Sequence, residues 1–106
     1  MIISGGVNIY PAEIESVLIQ MSGVRDCAVF GIPDEEFGEQ ICAYVEPQAE
    51  AGLQAADVRA WLGGHLARYK VPKVVEFSAA LPREDSGKIF KRKLRNPYWE
   101  KMGRSI

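Results

Sequence analysis

Val24-Arg25-Asp26-Cys27-Ala28-Val29-Phe30-Gly31-Ile32 and Glu39-Gln40-Ile41-Cys42-Ala43-Tyr44-Val45-Glu46-Pro47 are two runs rich in β-branched, aromatic and small apolar residues, joined by Pro33-Asp34-Glu35-Glu36-Phe37-Gly38. The second run alternates Ile41, Ala43 and Val45 against Cys42, Tyr44 and Glu46, which is the period of two expected of a strand. The proline, glycine and acids between the runs mark a loop joining adjacent antiparallel strands. This reading places a hairpin-like pair at the centre of the chain, and the other segments are arranged around it.

Upstream, Met1 to Ser4 reads as a short strand, and Gly5-Gly6 permits backbone angles that other residues avoid. Ile2 and Ile3 arrive with no capping or turn residue ahead of them, as expected of a chain cut from something longer. Pro11 suits the first position of a helix, Glu13 and Glu15 favour its positive end, and Ile14, Val17, Leu18 and Met21 recur at helical spacing. A helix is expected from Pro11 to Met21, closed by Ser22-Gly23.

Downstream, Val58, Trp61, Leu62, His65, Leu66 and Tyr69 form the apolar stripe of a second helix, weakened by Gly63-Gly64 and ended at the latest by Pro72. Lys73 to Phe77 reads as a third strand and Ala80 to Gly87 as a polar connection. Lys88 to Arg95 reads as a short basic helix stopped by Asn96-Pro97. The order strand, helix, two strands, helix, strand, helix predicts an α+β fold in one domain over 1–106, with a small, mainly antiparallel three-stranded sheet packed with helices.

With 106 residues, 47% of them hydrophobic and 25% charged, the chain holds one core and no second domain. Its 13 basic and 14 acidic side chains leave a formal charge of -1, so any anion site is local. No apolar run approaches the roughly 20 residues of a membrane span, and no signal peptide is visible at the start. Cys27 and Cys42 lie in apolar runs without a Cys-x-x-Cys or Cys/His cluster, so they read as buried free thiols, and no metal site is expected. Together these features predict a reducing, cytoplasmic setting.

Few residues announce chemistry on their own. Pro82-Arg83-Glu84-Asp85-Ser86-Gly87-Lys88 has the Gly-Lys ending of a Walker phosphate loop, but that motif needs glycine where Pro82 stands and Ser or Thr where Ile89 stands. What survives is a lysine beyond a glycine turn, either presenting an ammonium to an anionic partner or simply solvated. Ser4-Gly5-Gly6-Val7-Asn8 could let a backbone approach a ligand closely or could be only a turn. Lys88, Lys91, Arg92, Lys93 and Arg95 could meet phosphate or form a solvated face; a pI of about 5.8 speaks against a dedicated nucleic-acid binder. His65 has no acid or nucleophile motif beside it and reads as a packing residue.

Taken together, Ser4-Gly5-Gly6-Val7-Asn8-Ile9-Tyr10-Pro11-Ala12-Glu13-Ile14-Glu15 and Leu81-Pro82-Arg83-Glu84-Asp85-Ser86-Gly87-Lys88-Ile89 resemble the two signature motifs of the C-terminal domain in the adenylate-forming superfamily, which includes acyl-CoA synthetases. Val24-Arg25-Asp26-Cys27-Ala28-Val29, Gly31-Ile32-Pro33-Asp34, Phe37-Gly38-Glu39 and Tyr69-Lys70-Val71-Pro72 fall between them in the family's order. Asn8-Ile9-Tyr10-Pro11 is most similar to fatty-acyl and related carboxylate-CoA ligases.

The resemblance implies a mobile C-terminal lid working with an N-terminal adenylate-binding domain on a carboxylic acid, with ATP, Mg2+ and CoA as substrates or cofactor of the full-length enzyme and none held tightly by this part alone. It implies Lys88 as the adenylation lysine, Gly5 and Gly6 as the loop of the pantetheine passage, and Asn8, Phe37, Tyr69 and Lys73 as further CoA contacts. Without the N-terminal domain, no turnover is expected. The rival readings are the lid of a nonribosomal peptide synthetase adenylation domain and a stand-alone anion-binding module.

Overall fold

The structure, a computed structural model, describes residues 1–101. In chain order the elements are β1 (Ile2–Ser4), β2 (Val7–Ile9), α1 (Pro11–Leu18), β3 (Val24–Asp34), β4 (Gly38–Pro47), α2 (Ala55–Gly63), a 3-10 turn (Arg68–Lys70), β5 (Val74–Phe77) and α3 (Lys91–Lys101). β3 and β4 pair antiparallel from Asp26↔Glu46 to Asp34↔Gly38. The strands run closer to the turn than the sequence implies, leaving only residues 35–37 to connect them. Pro33 is tolerated inside β3 because β3 is an edge strand, where a missing N–H need not break a ladder. β5 joins the other side of β4 in parallel, from Cys42↔Val74 to Val45↔Phe77, because α2 carries the chain back to the starting end. The sheet is therefore mixed, in the order β3-β4-β5.

Alternation along β3 and β4 divides the interior between the sheet's two faces. Cys27, Val29, Ile41, Ala43 and Val45 point to the larger core, where they meet Ile14 and Leu18 of α1 and Val58 and Leu62 of α2. Phe30, Ile32 and Cys42 point the other way, against Leu94 and Tyr98 of α3. With both faces covered, β3 is buried without interruption from Cys27 to Ile32. Each of the fully buried leucines and isoleucines of the larger core contributes roughly 1.5–3 kcal/mol by leaving water.

Four local expectations are corrected. Val7-Asn8-Ile9 is a return strand: Gly5 (φ 57°) and Gly6 (φ 82°) both adopt positive φ, which makes the two-residue turn of a hairpin with Ile2↔Ile9, Ile3↔Asn8 and Ser4↔Val7 in register. α1 ends at Leu18 instead of Met21, because Gln20 and Met21 bond three residues back and Gly23 (φ 94°) turns the chain. α2 stops at Gly63, so His65, Leu66 and Tyr69 lie beyond it, although Leu66 N–H still reaches the Leu62 carbonyl at 2.8 Å.

The fourth correction concerns the basic helix. Phe90 N–H donates to Pro82 O at 2.8 Å, holding the chain extended up to Phe90, so α3 begins only at Lys91 and leaves Lys88 in a loop. α3 then runs through Asn96-Pro97 to Lys101. Pro97 forfeits one backbone bond on an exposed side, while Tyr98 Oη and Tyr44 Oη (2.8 Å) and Trp99 Nε1–H to Gly31 O (3.0 Å) pin the same turn to the sheet.

Candidate functional site

Lys88 sits on a small hairpin of its own. Arg83 and Ile89 form an antiparallel bridge, Glu84 N–H donates to Lys88 O at 2.8 Å, and Gly87 N–H donates to Glu84 O at 2.8 Å. Gly87 (φ 89°) closes the loop in the left-handed region, where a side chain would be strained. Lys88 is exposed, and among the described residues its ammonium meets no carboxylate. It borders a cleft of about 680 Å³ between this loop and α1, where Glu15 and Ser16 of the helix and Ile19 just past its end contribute. Beneath the loop, Arg83 reaches Asp26 Oδ2 at 2.8 Å and Glu46 Oε1 at 3.5 Å.

The remaining candidates gather elsewhere. Gly5 N–H donates to Phe37 O at 2.9 Å, and a Cβ on Gly5 would lie 3.1 Å from Phe37 Cδ1. Lys73 Nζ stands 5.1 Å from the centre of the Phe37 ring, a cation–π contact. Lys73 and Tyr69 both line a cleft of about 790 Å³, together with Arg59 and Arg68. The fold thus links Gly5, Phe37, Lys73 and Tyr69 in a chain of neighbours although they span residues 5 to 73. Phe37 is 42% and Tyr69 55% exposed, so two partly accessible aromatic rings lie beside cations, a surface suited to a nucleobase and phosphates. Asn8, paired with Ile3 on the same hairpin, is exposed, and its side chain makes no hydrogen bond among the described residues.

Arg59 and Arg68 carried no signal in the sequence, and although Arg83 and Asp26 lie in stretches that resemble the family, nothing marked them or Glu46 as partners. Arginines and acids at these spacings look like solvated surface until the fold brings them together.

The basic run does not act as one face. Lys91 is paired with Glu15 at 2.7 Å, and Arg92 and Lys93 both lie over the Phe90 ring, at 5.5 and 5.6 Å. Both cysteines are free and buried. Burial pushes the Cys27 thiol up to about 12, with Glu15 and Asp26 adding to the effect, and burial likewise pushes Cys42 up to about 12. Neither supplies a thiolate near neutral pH. His65 stacks on Trp61 with ring centres 4.0 Å apart and shares a 2.8 Å hydrogen bond between Nδ1 and Trp61 O, a packing role. Among the described residues, no three His, Cys, Asp or Glu side chains are grouped to hold a metal, and no helix is long and apolar enough to cross a membrane.

Residues 13–88 match the family model described as the AMP-binding enzyme C-terminal domain. The chain belongs to this family. The AMP-binding enzyme C-terminal domain described here is 49% identical over 98 residues to long-chain-fatty-acid–CoA ligase FadD13 of Mycobacterium tuberculosis, covering 92% of this chain and 19% of that protein. It is also 49% identical over 98 residues to a feruloyl-CoA synthase of an Amycolatopsis species, covering 92% of this chain and 20% of the relative. Among solved structures, ATP-bound MatB from Rhodopseudomonas palustris superposes with a TM-score of 0.88 at 43% identity, over 92% of this chain and 20% of that one. The chain therefore spans about a fifth of the length of the relatives it matches.

Proposed function

We propose that this domain is the mobile C-terminal part of an ATP-dependent, AMP-forming carboxylate-CoA ligase, and that it serves the two half-reactions with two different surfaces. The observation that carries this reading is the placement of Lys88: an exposed ammonium without a carboxylate partner among the described residues, on the returning arm of a hydrogen-bonded hairpin directly after its turn. In the first half-reaction a carboxylate oxygen attacks the α-phosphorus of Mg-ATP and pyrophosphate departs. Negative charge is shared among the attacking and phosphoryl oxygens, and a cation placed there in advance lowers the barrier electrostatically. Lys88 supplies that cation once an N-terminal adenylate-binding domain holds the substrates.

In the second half-reaction the CoA thiol attacks the acyl carbonyl, loses its proton and expels AMP. The Gly5-Gly6 turn serves here: no side chain fills the space beside Gly6, where nothing lies within 4 Å of a Cβ position. A narrow pantetheine arm can therefore pass along the backbone. Phe37, Tyr69 and Lys73 receive the CoA nucleotide, with Asn8 beside the turn. The relatives named for CoA ligase and synthase activity support this assignment, and the two buried, unpaired thiols fit a cytoplasmic setting.

The test separates the half-reactions in the full-length enzyme. Lys88→Ala is expected to slow acyl-adenylate formation by roughly 10²–10³-fold, the usual effect of losing one donor at a developing charge. Thioester formation from supplied acyl-adenylate is expected to persist. Undiminished adenylation would overturn the assignment.

A further inference from the structure

The loop that carries Lys88 is fastened by one side chain. Arg83 Nη1 donates to Gly87 O at 3.1 Å, across the turn to the residue just before Lys88, while Nη2 donates to Asp26 Oδ2 on β3 at 2.8 Å. The same Nη2 lies 3.5 Å from Glu46 Oε1 on β4. Glu46 in turn accepts Leu81 N–H at 2.9 Å, where the loop leaves the body of the domain. Glu46 is 5% exposed, and a carboxylate is costly to bury unless it is paired. A buried acid thus sits at the root of this loop, paired with Arg83 and, at 3.9 Å on its other oxygen, with Arg25.

This geometry matters because a lysine ammonium stands on a long flexible stem, and the fold controls it only through its backbone. Misplacing a reacting group by about 1 Å can cost on the order of 10²-fold in rate. The Gly87 carbonyl belongs to the peptide plane leading into Lys88, so the bond from Arg83 sets the direction in which the lysine leaves the turn. A guanidinium can hold that carbonyl and the Asp26 carboxylate at once with two nitrogens of a rigid fork, whereas a lysine ammonium has no such fork.

We propose that Arg83 is a positioning residue for Lys88, a strut between the turn of the Lys88 hairpin and the acids of β3 and β4. This rests on the reading of Lys88 as the adenylation lysine. Arg83 touches no reacting atom and acts through the Gly87–Lys88 peptide.

The experiment compares Arg83→Ala, Arg83→Lys, Asp26→Asn, Lys88→Ala and the Arg83→Ala/Lys88→Ala pair in the full-length enzyme, again with the half-reactions assayed separately. Arg83→Ala is expected to lower kcat for acyl-adenylate formation by about 10- to 100-fold, with KM for ATP and for the carboxylate nearly unchanged. Thioester formation from supplied acyl-adenylate should change little. Arg83→Lys keeps the charge and guards against a folding artefact; it should recover less than half of the lost rate, and Asp26→Asn should show a smaller loss of the same kind. The double variant should be no slower than Lys88→Ala alone.

The proposal is overturned if Lys88→Ala cripples adenylation while Arg83→Ala leaves it intact. It is also overturned if Arg83→Ala depresses both half-reactions equally, which is the mark of a merely structural residue. Normal adenylation by Lys88→Ala would instead remove the underlying reading, and the positioning role with it.

Discussion

The Gly5 amide donates to the Phe37 carbonyl at 2.9 Å while the Phe37 ring covers the place where a Gly5 side chain would be. The glycine turn and the β3–β4 turn are therefore a single unit, and substitutions at the two glycines should differ. Gly5→Ala meets both a positive φ, costing roughly 1–2 kcal/mol, and the ring, so it should lower thermal stability. Gly6→Leu meets open space and chiefly the φ cost. In the full-length enzyme, Gly6→Leu should impair thioester formation more than acyl-adenylate formation, and equal losses in the two assays would count against a pantetheine passage here.

Phe37 and Lys73 form one surface through their 5.1 Å cation–π contact. Loss of base stacking costs about 1–3 kcal/mol, so Phe37→Ala should raise KM for CoA roughly fivefold or more. Lys73→Ala should act in the same direction, increasingly so at low salt. Steady-state kinetics with ATP varied at saturating CoA provide the control, since KM for ATP should not move.

The two buried thiols make stability depend on alkaline pH. Burial raises both thiols to about 12 from the 9.0 of a free thiol, so above pH 9 the unfolded chain releases thiol protons that the folded chain retains. The contribution is fully present below pH 9 and is lost as pH rises from there toward 12. Urea midpoints between pH 8 and pH 10.5 should fall more steeply in the wild-type chain than in a Cys27→Ala/Cys42→Ala variant. An aromatic disulfide reagent should label neither thiol at pH 8 until the protein unfolds.

The hydroxyls of Tyr44 and Tyr98, 2.8 Å apart, tie α3 to the sheet. Tyr98→Phe keeps the ring against Phe30 and removes the hydroxyl's hydrogen bond to Tyr44 and its contact with the Cys42 thiol, at a cost of about 1 kcal/mol or somewhat more. A fall in Tm of roughly 4–8 °C should be seen in thermal unfolding of the chain.

The β3–β4 pair was legible because its signal is local: apolar runs of strand length bounded by turn residues. The parallel placement of β5 was not, since Val74-Val75-Glu76-Phe77 carries no mark of which edge it joins. β2 was missed because three residues hold no periodicity, although Gly-Gly with Ile2 and Ile9 on either side is the pattern of a two-residue hairpin. The stripe from Val58 to Tyr69 overstated α2 because helical spacing persisted in residues that fold as a turn, past two glycines that do not favour helix. Proline at 97 reads locally as a stop, but the side chains that hold α3 through it, Tyr98 and Trp99, find their partners on distant strands. The Lys88 loop was visible as a Gly-Lys turn, whereas its fastening by Arg83 joins residues 57 apart to Asp26 and could be seen only in three dimensions.

The β3–β4 ribbon carries Asp26 and Glu46 at one end and the turn bearing Phe37 at the other. Eight strand steps from Asp26 to Asp34 span roughly 26 Å at the usual rise per residue. The ribbon is thus a ruler, with the root of the Lys88 hairpin at one mark and the glycine turn at the other. Two tools mounted at opposite ends of a stiff bar cannot occupy one workplace together. Any reaction centre that uses both must take them in turn, because the β-ladder holds them apart.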